Sequence, residues 1–372
     1  MTIDRRVFLG GAAGAAVAGT LGAAAPIGPA ALPDYVSGSV IQRLLDAARD
    51  GIGATDAAGR RIAKVPKGTY LLTRPLIIHG GTHLDATAAR IVARFPATGV
   101  KHTMLLNAVA DTTGGYAGRG NIAVTGGSWD PVWDFVQRGV LSQAPAMNVL
   151  TFVHTRDVLV SNATIWNVKW WHAIELNAVR RGTVSGCTLR GWIADPGAGL
   201  WHGEAVQLDL AADGTAWAGL GDRTPCRDIL LTGNVCDASG SQAGWGQFTG
   251  SHTAYAGHVH TGVRITGNTV ANTRWDAIGT LNAQNVRITG NTVTGCAGGI
   301  YVKSIQDQPL ATVEITGNRV SGIGGRDAVA IRADAAGAPV TDVIVDDNTV
   351  DCAKVRYYGA VTPRAGAVLQ CR

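Results

Sequence analysis

The amino-acid sequence predicts an all-β solenoid, in which the chain winds into a stack of similar coils behind one short N-terminal helix. The main observation is a repeated phrase: RITGNTV at Arg264–Val270 recurs 23 residues later at Arg287–Val293. The composition agrees, with 46% hydrophobic and 16% charged residues among 372, and 50 glycines that suit many tight turns. A large apolar fraction with few charges indicates an ordered core rather than a disordered chain.

Degenerate copies of the phrase extend over most of the chain. Aligned on the residue before the Gly-Asn pair, they lie at Thr125, Ser161, Ser185, Thr232, Thr266, Thr289, Thr316 and Asp346. The shortest interval is 23 residues and the longest is 47, between Ser185 and Thr232. A short repeat lengthened by insertions is typical of a solenoid whose coils carry loops on one side.

Each copy reads as a short alternating strand that ends in a turn. The turn residue is asparagine in five copies, at positions 234, 268, 291, 318 and 348. Asparagine tolerates the left-handed backbone conformation, so we expect it to adopt that conformation in these turns. Coils stacked about 4.8 Å apart would also let equivalent asparagines bond to one another as a ladder. Cys187 takes the same position in its copy, and Cys236 falls where other copies have valine, so both are predicted to be structural.

The N-terminus resembles a twin-arginine export signal over residues 1–31. Arg5 and Arg6 precede Phe8-Leu9 and a weakly apolar Ala/Gly stretch that ends in small residues. This pattern is too weak for a membrane span and predicts export of a folded protein to the extracellular side, with no span in the mature chain. The alternative is a buried N-terminal helix. Residues 32–372 are predicted to form a single domain, in which the amphipathic segment Ser39–Asp50 covers the open end of the solenoid.

Charge and cysteine patterns exclude some function classes. The net charge of +5 is mild, and no dense basic run is interleaved with aromatic residues, so no nucleic-acid partner is predicted. The six cysteines lack paired C-x-x-C spacing, and no metal site is predicted from them. Export makes a Cys352–Cys371 bridge near the C-terminus plausible.

From about Val65 to its end, the chain resembles the pectin-lyase-like superfamily of right-handed parallel β-helices. The resemblance rests on VPKGTY and PLII near Val65, on GGSWDP at Gly126–Pro131 and on the ITGN coils. It implies a right-handed parallel β-helix. The superfamily includes pectate and alginate lyases, polygalacturonase-type hydrolases, phage tailspikes and epimerases, so the resemblance implies a polysaccharide partner without selecting a reaction.

A second set of strands lies between the turn phrases, and its outward residues are predicted to align in three columns. The strands are NVLTFVH, HAIELNA, EAVQLDL, DAIGTLN, GGIYVKS and DAVAIRA. The first column is Thr151, Glu175, Gln207, Gly279, Tyr301 and Ala330; the second is Val153, Asn177, Asp209, Leu281, Lys303 and Arg332; the third is Asn148, His172, Glu204, Asp276, Gly298 and Asp327. One coil is not represented and is predicted to pass through Gly246–Ala254.

These columns concentrate acidic residues on one face near the middle of the solenoid. The predicted catalytic residues are Glu204, Asp209, Asp276 and, in a neighbouring loop, His252. The predicted substrate-binding residues are Glu175, His172, Lys303, Tyr301, Arg332, Trp171, Trp201 and Trp245. Aromatic rings beside carboxylates commonly grip sugars through their apolar faces. The alternative is structural, because polar residues that open strands often bond to turn backbone groups.

Three functions remain open. A glycoside hydrolase needs two carboxyl groups, one as acid and one as base or nucleophile, and the cluster supplies both. A polysaccharide lyase would use Lys303, Arg332, His252 or Tyr301 to remove a proton beside a uronate, with Ca²⁺ held by the acidic residues. A non-catalytic glycan-binding β-helix would use the aromatic loops alone. No cofactor is expected unless the enzyme is a calcium-assisted lyase, and either a monomer or a homotrimer fits.

Overall fold

A computed structural model describes residues 34–96, 102–195, 203–212, 219–251, 253–305, 308–325, 329–350 and 354–365. The predicted export signal, His252, Trp201, Asp327 and the cysteines 352 and 371 lie outside these ranges. Two α-helices are described, α1 (Ser39–Arg49) and α2 (Trp133–Gln137), and a 3-10 turn covers Leu141–Gln143. The remaining regular structure of the described ranges is β-strand.

The strands begin with β1 (Val36–Ser37), β2 (Arg61–Lys64), β3 (Gly68–Leu72), β4 (Leu76–Ile77), β5 (Thr82–Asp85), β6 (Ala89–Ala93), β7 (His102–Leu106), β8 (Ile122–Thr125), β9 (Ser128–Asp130), β10 (Met147–Ser161), β11 (Thr164–Lys169), β12 (Ile174–Ser185), β13 (Thr188–Ile193) and β14 (Glu204–Asp209). They continue with β15 (Arg227–Thr232), β16 (Val235–Asp237), β17 (Gln247–Gly250), β18 (His260–Thr266), β19 (Thr269–Ala271), β20 (Asp276–Leu281), β21 (Ala283–Gln284), β22 (Val286–Thr289), β23 (Thr292–Thr294), β24 (Gly298–Ser304), β25 (Leu310–Thr316), β26 (Arg319–Ser321), β27 (Ile331–Asp346) and β28 (Val355–Pro363).

The strands form three walls of parallel neighbours, which confirms the predicted solenoid. The site wall runs β4, β7, β10, β12, β14, β17, β20, β24, β27, β28. The turn wall, which carries the repeated phrase, runs β2, β5, β8, β10, β12, β15, β18, β22, β25, β27. The third wall runs β1, β3, β6, β9, β11, β13, β16, β19, β23, β26. The long strands β10, β12 and β27 bend from the site wall into the turn wall.

Helix α1 packs against the first strands of the solenoid, as predicted. Its buried residues Ile41, Leu45 and Ala48 join the central apolar core, and the helix contacts β2, β4 and β5. Ser39 is its first residue, the cap position is Gly38, and the Ser37 hydroxyl accepts from the backbone N of Ser39 at 3.3 Å. Burial of the apolar face contributes to holding the helix in place.

The predicted asparagine ladder is present, and each of its five members is at most 1% exposed. Asn268 donates from its backbone N and from Nδ2 to Oδ1 of Asn291, at 2.9 Å each, and Asn291 donates to Asn318 in the same way. Each Nδ2 also donates to a carbonyl of the preceding turn-wall strand, as Asn291 does to Ile265 at 2.8 Å. The ladder thus joins the five successive coils that carry these asparagines through both backbone and side chain.

One detail of the turn prediction is wrong. The left-handed residue is the glycine before the asparagine, with φ of 63° at Gly267 and Gly290 and 64° at Gly317. The asparagines themselves lie outside the left-handed region, because their side chains must point inward to reach the next coil. Glycine adopts positive φ without steric cost, which explains the pairing of the two residue types.

The described cysteines are structural, as predicted for Cys187 and Cys236. Cys187, Cys226, Cys236 and Cys296 are all free and buried. Burial raises the pKa of Cys187 to about 11 and that of Cys226 to about 12, so these thiols stay protonated and unreactive at neutral pH. Within the described ranges, no helix is both long enough and apolar enough to cross a membrane.

A buried histidine should make folding pH-dependent. His260 is 2% exposed and its Nδ1 accepts a hydrogen bond from the backbone N of Cys226 at 3.0 Å. Burial lowers the pKa of His260 from 6.5 to about 4, against a smaller opposing effect of the Asp209 carboxylate. Below pH 6.5, His260 is protonated in the unfolded chain but stays neutral in the folded chain until about pH 4. The free energy of unfolding therefore falls as the pH drops from 6.5 towards 4.

Between pH 7 and pH 4, we expect titration of His260 to lower the free energy of unfolding of the wild type by about 3 kcal/mol. This decrease should be absent in His260→Asn, whose side-chain oxygen can still accept from the backbone N of Cys226. The measurement is the free energy of unfolding by urea at several pH values between 7 and 4 for both proteins. The wild type should lose more stability than the variant over that range. Parallel pH profiles would show that His260 does not titrate in this way.

The ladder should carry a large share of local stability. Asn291→Ala removes the acceptor of two Asn268 donors and the donor to Ile265, leaving buried polar groups without partners. We expect a loss of about 3 kcal/mol in the free energy of unfolding, since each unsatisfied buried group costs about 1–3 kcal/mol. The control is Thr294→Ala, an exposed position at the end of β23, which should change stability by less than about 0.5 kcal/mol. Equal effects of the two substitutions would contradict this role.

Candidate functional site

The site wall brings the predicted acidic residues together on one face. The register pairs Thr151 with Glu175 and Glu175 with Gln207, and it pairs Val153, Asn177 and Asp209 in the next column. These two columns are confirmed for the first three coils. The missing coil is β17, within the predicted Gly246–Ala254 segment, and its residue Gln247 lies opposite Glu204. The opening column therefore reads Asn148, His172, Glu204, Gln247, Asp276, Gly298.

The predicted place of Arg332 is wrong. Arg332 pairs with Tyr301, and Asp334 takes the position opposite Lys303. The sequence alignment had placed Ala330 beside Tyr301, which is a shift of two residues. Apolar alternation alone does not distinguish a shift of two, because the same side chains stay on the same face. The shift places Arg332 next to Tyr301 in the column of Gly279, with its guanidinium within reach of Asp276.

Glu175 lies among neutral hydrogen-bond donors. Its carboxylate accepts from Nδ2 of Asn148, from Nδ2 of Asn177 at 2.8 Å and from Oγ1 of Thr151 at 3.4 Å. Asn148 in turn accepts from the backbone N of His172 at 3.0 Å. Glu175 is 7% exposed, and amide donors replace the water that its carboxylate loses on burial. This network fixes the strand opening at His172, next to Glu204.

Glu204 opens β14 and is 6% exposed. The ring nitrogen Nδ1 of His172 lies 3.0 Å from its backbone oxygen and 3.4 Å from its carboxylate Oε2. On the other side lies Gln247, whose backbone N donates to Gly203 at 3.2 Å. Its side-chain amide oxygen lies against Gly250, where a β-carbon would come within 2.3 Å of it. A glycine at this position thus lets the Gln247 amide lie across the wall beside Glu204.

Asp276, two coils from Glu204, contacts a cation. Nη2 of Arg332 lies 3.4 Å from its Oδ2, and the guanidinium stacks over the Tyr301 ring at 3.7 Å from the centroid. The Tyr301 hydroxyl donates to Asp334 at 3.2 Å. Burial raises the pKa of Tyr301 above its ordinary value, so the phenol stays protonated at neutral pH. An adjacent guanidinium favours the ionised form of the Asp276 carboxylate.

Asp209, one of the predicted catalytic residues, accepts several hydrogen bonds that connect the end of β14 to the residues around it. Its carboxylate accepts from Nε2 of Gln207 and from Oγ1 of Thr253, each at 2.7 Å, and from the backbone N of Leu210 at 2.9 Å. These bonds hold the end of β14 and the start of the following loop. They use carboxylate positions that a proton transfer to substrate would need.

Only part of the predicted aromatic set is available to a ligand. Trp245 is fully buried in the main core, so its predicted sugar-binding role is wrong; the sequence around it, GWG, carries no signal of burial. Trp171, which precedes His172, is partly exposed, whereas Trp201 lies outside the described residues. His172 and Lys303 lie on the site wall as predicted.

The described residues do not form a metal centre. Within them, no three His, Cys, Asp or Glu side chains are grouped so as to hold an ion. The Glu175 carboxylate accepts from two side-chain amides and one hydroxyl.

Comparisons with known proteins concern mainly the fold. The family model described as a right handed beta helix region matches residues 229–366. No curated protein sequence matches the chain. The chain is similar to PfbA, a surface adhesin of Streptococcus pneumoniae, with a TM-score of 0.68 and 16% identity over 85% of this chain and 74% of the adhesin. A second PfbA structure gives a TM-score of 0.62 and 13% identity over 91% of this chain and 100% of the other.

A hyperthermoactive exopolygalacturonase from Thermotoga maritima is a more distant match, with a TM-score of 0.45 and 12% identity over 88% of this chain and 87% of the enzyme. Identities this low show a common fold and nothing about activity. The parallel three-wall architecture, the matched family model and the similarity to PfbA agree with one another. The chain is therefore a right-handed parallel β-helix protein, the fold implied by its resemblance to the pectin-lyase-like superfamily.

Proposed function

We propose that the protein is an exported glycoside hydrolase that cleaves a polysaccharide, with Glu204 and Asp276 as its two catalytic carboxyl groups. The observation that carries the proposal is their place in one column of the site wall, with only Gln247 between them. Neighbouring coils are about 4.8 Å apart, so the two backbones are about 9.6 Å apart. Inverting glycosidases hold their carboxyl groups about 6.5–9.5 Å apart and retaining ones about 5–5.5 Å apart. A backbone separation at the upper limit of the inverting range, and well beyond the retaining one, fits inversion better than retention.

The surroundings of the two residues support different roles. Arg332 beside Asp276 favours a carboxylate, which suits a base that takes a proton from water. Glu204 is buried beside the neutral amide of Gln247 and the His172 ring. With His172 neutral in this mechanism, loss of water favours the protonated form of Glu204. In this mechanism, Glu204 gives its proton to the leaving glycosidic oxygen as the bond to the anomeric carbon breaks. Water adds to that carbon from the opposite side and passes its proton to Asp276.

Two other functions have one observation each in their favour. A lyase is favoured by Lys303, a cationic side chain on the site wall next to Tyr301. Its weakness is Tyr301, whose raised pKa makes it a poor base. A non-catalytic, glycan-binding role is favoured by the similarity to a surface adhesin. Neither function uses the spacing of Glu204 and Asp276, and for that reason we rank the hydrolase first.

The reaction class is tested by two readings of one incubation. Purified protein is mixed separately with polygalacturonate, alginate, xylan and a neutral galactan, and both new reducing ends and ultraviolet absorbance of unsaturated uronates are followed. Hydrolysis gives reducing ends without absorbance, which is the expected result. Absorbance that rises with the reducing ends would replace the hydrolase with the lyase. Protein that binds a polymer and yields neither signal would favour the adhesin-like function.

The catalytic pair is tested by neutral isosteres. We expect Glu204→Gln and Asp276→Asn each to lower kcat by about 10²–10⁴, the usual contribution of a general acid or base, with little change in thermal midpoint. Asp228→Asn is a matched control, because Asp228 is exposed on the turn wall and asparagine tolerates its φ of 56°. A loss in the control equal to that in either site variant, or full activity in both site variants, would reject the pair.

A further inference from the structure

Next to Glu204, the chain makes a strained turn. The backbone N of Trp171 donates to the oxygen of Lys169 at 2.9 Å, which closes a three-residue turn centred on Trp170. Trp170 has a φ of 68°. This form of the γ-turn is rare and strained, and a bulky side chain at positive φ is a conformational outlier. Such strain persists only where surrounding contacts impose it, and it is concentrated at functional sites.

The surrounding contacts impose the turn from both sides. The backbone N of Trp170 donates to Ile193 on the neighbouring coil at 3.0 Å. Lys169 is 7% exposed, and its ammonium donates to the backbone oxygens of Ser142 and Ala144 at 3.1 and 2.5 Å. The same ammonium lies 4.6 Å from the centroid of the Trp170 ring. Trp170 is therefore held by its own backbone and by its ring.

The turn is also fixed on the side of the acidic residues. The buried Trp192 donates from Nε1 to the backbone oxygen of Trp171 at 3.1 Å. Gly203, the residue before Glu204, lies so close to the Trp192 ring that no β-carbon would fit there. One buried indole thus connects the backbone of Trp171 to the start of β14. The position of Trp171 relative to Glu204 is set by core packing.

The side chain of Trp171 differs from the buried tryptophans. Its ring is partly exposed, and its indole N–H makes no hydrogen bond to the described part of the chain. Trp129 and Trp192 are buried and donate to backbone oxygens, and Trp245 is buried with no described partner for its N–H. Ring exposure together with an unbonded N–H is therefore what sets Trp171 apart from these three. A tryptophan with an accessible ring and a spare donor suits a ligand that has both an apolar face and hydroxyl groups.

We propose that Trp171 is a sugar-stacking subsite adjoining Glu204, and that the left-handed turn at Trp170 is the element that positions it. One face of a pyranose ring packs on the indole, and the indole N–H donates to a sugar hydroxyl. The inference deepens the proposed function and rests on a glycan partner, but it requires only binding. It therefore holds for a hydrolase, a lyase or a binding protein.

The subsite is tested by native affinity electrophoresis in gels that contain polygalacturonate, alginate, xylan or galactan. We expect at least one polymer to retard the wild type, and Trp171→Ala to weaken the apparent affinity at least tenfold without a change in thermal midpoint. Trp166→Ala is the matched control: Trp166 is a partly exposed tryptophan of the same coil on β11 of the third wall, and its loss should change affinity less than twofold.

The turn is tested by a pair of substitutions that both remove the indole of Trp170. Glycine accepts a φ of 68° without strain, whereas alanine does not. We expect Trp170→Gly to melt at a higher temperature than Trp170→Ala and to keep a polymer affinity within threefold of the wild type, and Trp170→Ala to bind more weakly than Trp170→Gly. An alanine variant that melts as high as the glycine variant, or binds as tightly, would reject the positioning role.

The outcomes separate this inference from the proposed reaction. Binding that depends on Trp171 without any cleavage leaves the subsite in place and removes the hydrolase. Cleavage with the same KM in Trp171→Ala and the wild type leaves the hydrolase in place and removes the subsite. Equal losses in Trp171→Ala and Trp166→Ala, or no retardation of the wild type by any of the four polymers, would also overturn the subsite.

Discussion

The register between successive coils is the constraint on which the rest of the molecule depends. Glycine at positive φ reverses the chain at each turn, and the asparagine after it bonds to the asparagine of the next coil through two donors. Successive side chains of a strand point to opposite faces, so a slip of one residue would expose the apolar side chains of a coil to solvent and bury its polar side chains. The ladder makes such a slip cost several buried hydrogen bonds. A fixed register on the turn wall fixes the columns of the site wall, where no comparable ladder is described.

Burial of acidic groups on the site wall follows a consistent pattern. Glu175 is surrounded by amide and hydroxyl donors, Asp209 by an amide, a hydroxyl and a backbone N–H, and Asp276 by a guanidinium. Each arrangement offsets the loss of hydration, which would otherwise cost several kcal/mol for an ionised carboxyl group. Glu204 lies beside the His172 ring, whose Nδ1 is 3.4 Å from its Oε2. The contacts of Glu175 and Asp209 lie at strand ends, and the proposed function assigns proton transfer to Glu204 and Asp276.

Much of this arrangement is encoded locally and was accessible from the sequence. The repeated Gly-Asn phrase predicts coils, and equal spacing between strands aligned Thr151, Glu175 and Gln207 correctly. The errors arose where local patterns are degenerate. Apolar alternation does not distinguish a shift of two residues, and this misplaced Arg332. Both glycine and asparagine can adopt positive φ, so the phrase alone does not show which of the two does. The glycine adopts it, because the asparagine side chain points inward to the next coil. Trp245 shows that an aromatic residue in a glycine-rich segment can belong to the core. The strand of Gln247 is separated by an insertion from the phrase at Arg264–Val270, so counting back from that phrase does not locate it.

A solenoid suits a site that needs two groups at a set distance. Loops adjust their conformation, but backbone hydrogen bonds fix the spacing of neighbouring coils at about 4.8 Å. The backbone distance between two residues of one column is therefore a multiple of that spacing. One coil would bring two carboxyl groups close enough for a retaining mechanism, and two coils leave room for a water molecule. The residue on the intervening coil must then be uncharged and must not fill the gap. Gln247 meets the first condition, and the absence of a side chain at Gly250 leaves space for its amide. Under the two proposals, a wall without Glu204 and Asp276 would still present Trp171 to a sugar. The carboxyl pair, rather than the fold, would then distinguish a hydrolase from a glycan-binding protein.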